Sequence, residues 1–450
     1  MIVKDITQLI GNTPLLEIDQ SVHGLKNINL FAKLELLNPF GSVKDKTAWN
    51  MLRHDLNDIK AKSQTVIESS SGNTAKALQM ILSMHQIPFK IVTNRILVKE
   101  VKQILQLLGT EIEELPGQSQ CLDPTDPNDP QFIVEQIINS DPEKYFHTSQ
   151  YTNIRNLEAH TVMTGEEIAQ DLERVDYFFG GLGTTGSTRG TGIRLKEQNP
   201  KLKNIGIISS KGQPLPGIRN VDEMYEVGLF ESGFYEDIVE VKLNESLDAM
   251  LTLIRSCGIL SGPTGGASFA AVLKYFRSMD EELVTQQNIV FIVCDRVEWY
   301  LSYIQKYRPE LFGMAPKKAG LSAISEAAVD SSPELSPHIA IEWLEQTPRP
   351  LVVDIRGQLA YKSSHIDQSI NIPANTLEDL LNWGIPFSAN QKIFFVCPVG
   401  EQSRRFAAYF NSKGLNAWSL KGGFAAWKIL YETASHLPNL NNNQPALILA

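Results

Sequence analysis

The chain has 450 residues, 42% hydrophobic, 20% charged and 8% aromatic, with a formal net charge of −10 and an isoelectric point near 5.4. At about 150 residues per domain this length supports two or three domains with ample chain to bury a core, and the composition excludes wholesale disorder and collagen-like repeats. The acidic balance argues against sequence-independent nucleic-acid binding, which needs a basic footprint.

The N-terminal stretch MIVKDITQLIGNTP lacks the basic-then-apolar layout of a secretory leader. No apolar run approaches the roughly 20 residues a membrane helix requires, and the best, Ile289 to Cys294, has the length of a buried strand. Four cysteines (Cys121, Cys257, Cys294, Cys397) stand far apart with no CxxC pair, and the eight histidines are equally scattered. Neither a disulfide scaffold nor a metal site is expected, and a reducing cytoplasm is the expected compartment.

To about residue 310, short apolar runs alternate with helix-period segments. TVIES (65–69) precedes a helical stretch from Asn73, and FKIVTN (89–94) precedes LVKEVKQILQLLG. VDYFFGG (175–181) leads into STRGTGIRLKEQ, and NIVFIVC (288–294) closes the series. This alternation predicts an α/β fold of parallel-type sheets flanked by helices. Residues 312–336 are small, polar and Pro-punctuated and read as a linker. LVVDI (351–355), KIFFVC (392–397), a helix from about Gln402 and AWSL (417–420) then predict a second, small α/β domain over 337–435. The tail, 436–450, is Asn/Pro-rich and reads as loose, with a few apolar residues at its end that could dock.

Four strand–loop–helix junctions carry the chemistry. Gly180-Gly181-Leu182-Gly183-Thr184-Thr185-Gly186-Ser187 follows an apolar strand and opens a helix, so its N–H groups, hydroxyls and helix dipole make an anion cradle. Residues 181–186 also fit G-x-G-x-x-G, but the next strand ends in Ser209, Ser210 and Lys211, not in the acidic residue a dinucleotide ribose wants; a simple phosphate, or a bare turn, remains. Asn38-Pro39-Phe40-Gly41-Ser42-Val43-Lys44 sets a lysine just after a turn. Glu68-Ser69-Ser70-Ser71-Gly72-Asn73-Thr74 suits a carboxylate or is simply a helix cap, and Ser261-Gly262-Pro263-Thr264-Gly265-Gly266 opens a further helix.

Together with Ile10-Gly11-Asn12-Thr13-Pro14-Leu15, and in this order, these motifs resemble the pyridoxal-phosphate enzymes of the cysteine synthase and cystathionine β-synthase family over about residues 1–305. The resemblance implies a two-lobed fold type II enzyme over 1–311, with a mobile small lobe at about 41–150, assembled as a homodimer. Lys44 would hold pyridoxal phosphate covalently and act as the base at Cα. Gly183, Thr184, Thr185, Gly186 and Ser187 would hold its phosphate, Asn73 the ring's 3′-oxygen and Thr264 the pyridine nitrogen. Ser70, Ser71, Thr74 and Gln150 (in Gln150-Tyr151-Thr152-Asn153) would hold the substrate carboxylate. A neutral hydroxyl at the ring nitrogen favours β-elimination over transamination, hence β-replacement on an O-activated serine with a sulfur nucleophile. Pro216-Gly217-Ile218-Arg219-Asn220-Val221-Asp222-Glu223, with Asp295 and Tyr300-Leu301-Ser302, is similar to the O-phosphoserine-using cysteine synthases, where Arg219 would suit a leaving phosphate; it also reads as a surface ion-pair residue. Ala75 and Thr185 depart from the glycines common at those positions.

In the C-terminal stretch, Cys397 ends an apolar strand ahead of Pro398-Val399-Gly400-Glu401-Gln402-Ser403 and a helix start. Converging N–H groups there would stabilise a thiolate or persulfide. Read alone, it is also a buried, inert strand cysteine. With Asp354-Ile355-Arg356, His365-Ile366, Asn371-Ile372-Pro373 and Leu420-Lys421-Gly422-Gly423 running on to Trp427, residues 337–430 resemble a rhodanese, with Asp354, Arg356 and His365 structural. Pro398 and Gln402 stand where arginines are frequent, so the resemblance implies a persulfide carrier more than a binder of thiosulfate-like anions. The expected function is L-cysteine synthesis from O-phosphoserine or O-acetylserine, using sulfide or sulfur carried on Cys397. The alternative is a cystathionine β-synthase-like or cysteine-desulfurating enzyme whose rhodanese domain docks a sulfur-carrier protein.

Overall fold

Apolar runs such as Tyr177–Gly181 and Gln287–Ile292 are buried on both faces, which is what a helix-covered parallel sheet demands of its central strands. The computed structural model describes residues 2–449 apart from 94, 95, 97, 116–128, 278, 315–319, 322, 323, 382, 383 and 436–446; Cys121 and most of the tail lie outside the described residues. The chain divides into two units, residues 1–113 with 133–307, and 114–132 with 308–450.

The first unit holds two sheets. The larger runs Leu15–Ile18, Ile28–Lys33, Gln287–Ile292, Tyr177–Gly181, Lys203–Ser209, Asp237–Val241, and only its first pair is antiparallel. The smaller centres on Thr65–Ser69, parallel to Phe89–Thr93 on one side and Tyr145–His147 on the other. In both sheets the chain leaves a strand and turns at once into a helix: Thr65–Ser69 into Asn73–His85, and Tyr177–Gly181 into Gly186–Gln198. Such strand ends are where α/β proteins bind ligands.

A buried ionic cluster sits behind the start of the Lys44–Leu52 helix. Lys46 and Glu35 are fully buried and 2.7 Å apart. Lys46 also reaches Glu167 at 2.8 Å, as does the fully buried Lys33. The GNTP turn closes over this cluster: Asn12 N–H donates to Glu167 Oε1 at 2.9 Å, the Thr13 hydroxyl to Glu35 at 2.9 Å, and Gly11 N–H to Asn38 Oδ1 at 2.9 Å. Desolvation would raise the Glu167 carboxyl, but Lys46 and Lys33 outweigh it and hold it at about 2.

The second unit carries a five-stranded parallel sheet, Glu334–Leu335, Asn416–Leu420, Lys392–Val396, Leu351–Asp354, Ile370–Asn371. Alternate residues face opposite cores: Val353, Ile393 and Phe395 pack with Phe406 and Phe410, while Val352, Phe394 and Val396 pack with Phe424 and Trp427. Within 312–336, Glu326–Asp330 is helical and Glu334–Leu335 forms the edge strand. Leu447–Leu449 pairs antiparallel with Ser364–Ile366.

Removing one partner from a buried ion pair strands the other, so Lys46→Met is expected to cost about 3–5 kcal/mol, read as a lower urea midpoint for the first unit. Because the folded pKa of Glu167 is depressed, its contribution is complete above its ordinary value of 4.5 and is lost as pH falls towards about 2. Glu167→Gln therefore flattens that acid limb.

Candidate active site

Lys44 opens the Lys44–Leu52 helix, and the turn before it fixes where it points. Gly41 has φ +86°, a left-handed conformation suited to glycine, and Phe40 N–H and the Ser42 hydroxyl both donate to Asp45, at 2.6 and 3.1 Å. Val43 N–H is tied to Cys294 O at 2.8 Å. The Lys44 side chain keeps some accessible surface, yet its amine lies deep enough for desolvation to pull its pKa down, against the opposing pull of Cys294 and Asp295. Its Nζ donates to Thr184 Oγ1 at 3.5 Å, joining residues 140 positions apart in the sequence.

Thr184 belongs to the glycine turn. No side chain caps the Gly186–Gln198 helix, so the first-turn N–H groups have no side-chain acceptor. Thr185, at its N-cap, has φ +64°, a conformation that costs a β-branched residue about 1–2 kcal/mol. Its buried hydroxyl makes no hydrogen bond of ordinary length, because the neighbouring Tyr235 hydroxyl is engaged by Thr188 at 2.7 Å. Gly183 has no room for a side chain: a Cβ would stand 2.6 Å from Gly217 O. Ser187 is buried in the first helical turn.

The other predicted residues gather around this pair. Asn73 Nδ2 donates to Asp295 Oδ2 at 2.6 Å and to the Tyr300 hydroxyl at 3.1 Å, and the Tyr300 hydroxyl donates to the same carboxylate. The Thr74 hydroxyl donates to Gln150 Oε1 at 2.7 Å, and Gln150 Nε2 donates back to Ser69 O at 2.9 Å. Ser70 accepts from Ala75 N–H at 3.3 Å, and Ser71 is partly exposed beside it. The Thr264 hydroxyl donates to Pro216 O at 2.7 Å, which leaves its lone pairs free to accept. Arg219 is drawn aside: its guanidinium donates to Glu223 O at 3.0 Å and lies 5.0 Å from the centroid of the Tyr151 ring, while its backbone N–H bonds Leu182 O next to the turn.

A hydrogen-bond chain absent from the sequence reading links the ionic cluster to Thr184. Lys46 donates to Thr164 (3.2 Å), the Thr164 hydroxyl bonds His160 Nδ1 (3.0 Å), His160 Nε2 bonds the Thr47 hydroxyl (2.9 Å), Thr47 reaches Asn156 Oδ1 (3.3 Å), and Asn156 Nδ2 donates to Thr184 (2.9 Å). Desolvation, with Lys44 and Lys46 adding to it, holds the His160 pKa well below its usual value, so the ring is neutral and serves one threonine as donor and the other as acceptor. With its oxygen accepting from Asn156 and Lys44, Thr184 keeps its own proton for a third partner. Of these residues only His160 carries a sequence cue, an unusual buried histidine, and even that needs the fold to be seen.

In the second unit, Cys397 is fully buried at the end of Lys392–Val396. Its sulfur accepts from Gly400 N–H at 3.1 Å and Ser403 N–H at 3.4 Å, with the Ser403 hydroxyl at 3.2 Å. Arg356 clasps Asp354 through two nitrogens, lies 3.5 Å from the Phe424 ring centroid and donates to Ser364 O. His365 stacks on Tyr361.

An amine set against an uncapped, hydroxyl-lined helix start is the arrangement of a cofactor enzyme. The model described as "Pyridoxal-phosphate dependent enzyme" matches residues 6–295, more than half of the chain, and that described as "Rhodanese-like domain" matches residues 336–430. The chain belongs to the pyridoxal-phosphate dependent enzymes, within the cysteine synthase family, and carries a C-terminal rhodanese-like domain. It is 30% identical to cysteine synthase B of Pseudomonas aeruginosa over 305 residues, 66% of this chain and 95% of that protein. It is 32% identical to cystathionine beta-synthase of Apis mellifera over 332 residues, 69% of this chain and 63% of that protein. A hydrogen sulfide-producing enzyme from Fusobacterium nucleatum superposes with a TM-score of 0.57 at 29% identity, covering 67% of this chain and 99% of the other. The orphaned Thr185 hydroxyl, the uncapped helix and the desolvated Lys44 amine fit an anionic aldehyde cofactor. Among the described residues no group of three or more His, Cys, Asp or Glu could hold a metal ion, and no helix is long and apolar enough to cross a membrane.

A Cβ on Gly186 would stand 2.2 Å from Asn156 Oδ1. Gly186→Ala is therefore expected to cost about 1–3 kcal/mol. Combining it with Asn156→Ala should cost less than the two singles summed, because both act on the same contact, as a double-mutant denaturation cycle would read.

Proposed function

We propose that the first unit makes L-cysteine by β-replacement on an O-activated serine and that the rhodanese-like domain supplies its sulfur. The observation that carries this reading is the Lys44 amine, its pKa lowered by desolvation, within 3.5 Å of Thr184 on the uncapped turn.

Lys44 is the anchor for the cofactor, and the Gly183–Ser187 turn receives its phosphate, with Thr184 directing its spare proton there. When bound, pyridoxal phosphate supplies the electron sink that makes loss of the Cα proton and departure of the Cβ substituent feasible. Ser70, Ser71, Thr74 and Gln150 orient the substrate carboxylate at the start of the Asn73–His85 helix, whose dipole favours an anion. Asn73 and Thr264 flank the cofactor ring, and Thr264 offers lone pairs with no charge, which favours elimination over transamination. The Lys44 amine is the group that would take the proton from Cα. Arg219, resting on Tyr151 next to Gln150, receives a departing phosphate by swinging from Glu223 O; its cation favours O-phosphoserine over O-acetylserine.

Sulfur arrives as hydrosulfide, free or released from a Cys397 persulfide. That release consumes a thiol, which is oxidised to a disulfide as the S–S bond breaks. Gly400 and Ser403 N–H groups suit a sulfur anion at Cys397, and a tether raises the local concentration of what the domain releases. The same reading expects a cytoplasmic homodimer.

Borohydride reduction followed by peptide mass spectrometry is expected to find the cofactor on Lys44, and a tag on another lysine overturns the reading. Cys397→Ser should keep full activity with sulfide and lose activity with a persulfide donor plus a thiol. Arg219→Ala should lower kcat/KM for O-phosphoserine by about tenfold or more, the loss of one charge-assisted hydrogen bond, and spare O-acetylserine. Faster turnover of serine with homocysteine than of either activated serine with sulfide would instead favour a cystathionine β-synthase activity.

A further inference from the structure

Ser419 has no part in the chemistry above. It lies on the Asn416–Leu420 strand, paired in register with Phe395 and two residues after Ala417. It therefore stands on the face where Ala417, Ile393, Phe395 and Cys397 pack with Phe406 and Phe410, and it is fully buried there. A hydroxyl on such an apolar face is costly unless it is hydrogen-bonded. Ser419 makes two contacts: its Oγ lies 2.8 Å from Ser403 Oγ, and it donates to Gly400 O at 3.3 Å.

Ser403 joins this hydroxyl to the cysteine. It is fully buried in the first turn of the Glu401–Ser412 helix, with its Oγ 3.2 Å from Cys397 Sγ and 3.1 Å from Gly400 O. A hydroxyl has one proton, so Ser403 cannot give it to the sulfur and to Gly400 O at once. While Cys397 is a thiol, its own proton can serve the contact with Ser403. An anionic sulfur has no proton to give, and that contact then holds only if Ser403 turns its proton to the sulfur. Gly400 O can spare it, because Arg404 N–H also donates there at 3.3 Å.

The shorter of the two Ser419 contacts is the one with Ser403. With Ser419 donating along it, the Ser403 proton cannot point back at Ser419, and of its two remaining acceptors an anionic sulfur is the stronger. A hydroxyl that accepts a hydrogen bond also becomes a better donor. We propose that Ser419 is a positioning residue: its hydroxyl donates to Ser403 Oγ and so holds the Ser403 proton towards an anionic Cys397 sulfur.

Charged side chains on the adjoining segments are committed elsewhere or face solvent. Arg404 and Arg405 pair with Asp330 and Glu326, Arg356 pairs with Asp354, and Glu401 and Lys421 are exposed; the Tyr409 phenol packs in the same core as Cys397. Cys397 is left anionic whenever it hands sulfur on. An attacking thiolate takes the outer sulfur of the persulfide and becomes a persulfide itself, the S–S bond breaks, and its electron pair stays on Cys397 Sγ. That consequence rests on the sulfur-supply reading of the domain; the chain from Ser419 through Ser403 to the sulfur does not.

The test uses the full chain with Ser419→Ala, Ser419→Gly, Ser403→Ala, the Ser403→Ala/Ser419→Ala double variant and Cys397→Ser. The ultraviolet absorbance of thiolate is followed against pH, and the part lost in Cys397→Ser is assigned to Cys397. Ser403→Ala should move the Cys397 midpoint up by about one pH unit or more, and Ser419→Ala and Ser419→Gly should each move it up by about half a unit. In the double variant the loss of Ser419 should add nothing to Ser403→Ala, because Ser419 acts through Ser403. Once Cys397 is loaded by a persulfide donor, sulfur transfer to a thiol should slow in Ser419→Ala by about the same factor, roughly threefold. A Cys397 midpoint unmoved in both Ser419 variants overturns the proposal, as does an undiminished Ser419→Ala shift in the Ser403→Ala background. If the midpoint shifts as expected and wild-type Cys397 passes no sulfur to a thiol, the sulfur-supply reading fails and the Ser419–Ser403 chain stands.

Discussion

The first unit depends on two lysines and two glutamates held without water behind its reactive helix. Taking four charges out of solvent is expensive, and such a cluster persists only when every charge is met at short range. Here Lys46 bridges Glu35 and Glu167, Lys33 completes Glu167, and the GNTP turn fills the remaining acceptor sites. Lys46 is two residues from Lys44, so the cluster fixes from behind the helix start whose side chain emerges at the site. Through Thr164, His160, Thr47 and Asn156 it is also joined by an unbroken run of hydrogen bonds to Thr184. The amine and the anion turn, though distant in sequence, thus take their positions from one buried source.

That arrangement explains what could be read from residues alone. The glycine turn, the Asn38–Lys44 turn and the Ser69–Asn73 junction are visible because their chemistry is local. Positive φ, close backbone approach and helix N-termini impose residue types at fixed offsets. TVIES becomes the strand Thr65–Ser69 and FKIVTN the strand Phe89–Thr93 because buried parallel strands are short, apolar and β-branched.

The supporting residues were hidden for the opposite reason. Lys46, Glu35 and Glu167 look like solvated charges in any window, and only the fold brings residues 35, 46 and 167 to one point. Asn156 reads as an ordinary helix residue until Thr184 is placed beside it, and Asn73 gives no sign that its amide is held by a carboxylate 222 residues away. In the sequence Thr185 stands in the expected phosphate turn and departs from the glycine common there. The structure adds that it sits at φ +64° with a buried hydroxyl that makes no hydrogen bond of ordinary length.

The second unit solves a related electrostatic problem with fewer charges. Cys397, like the turn at Gly183, stands between the end of a parallel strand and the start of a helix, where backbone N–H groups point outward from a dipole's positive end. Around Gly183 that field is supplemented by an amine and several hydroxyls. At Cys397 two N–H groups donate to the sulfur and the Ser403 hydroxyl lies 3.2 Å from it, while Pro398 and Gln402 add no cation. In the proposed function the same strand–turn–helix geometry serves two different anions, with the side chains around each turn deciding which charge it holds.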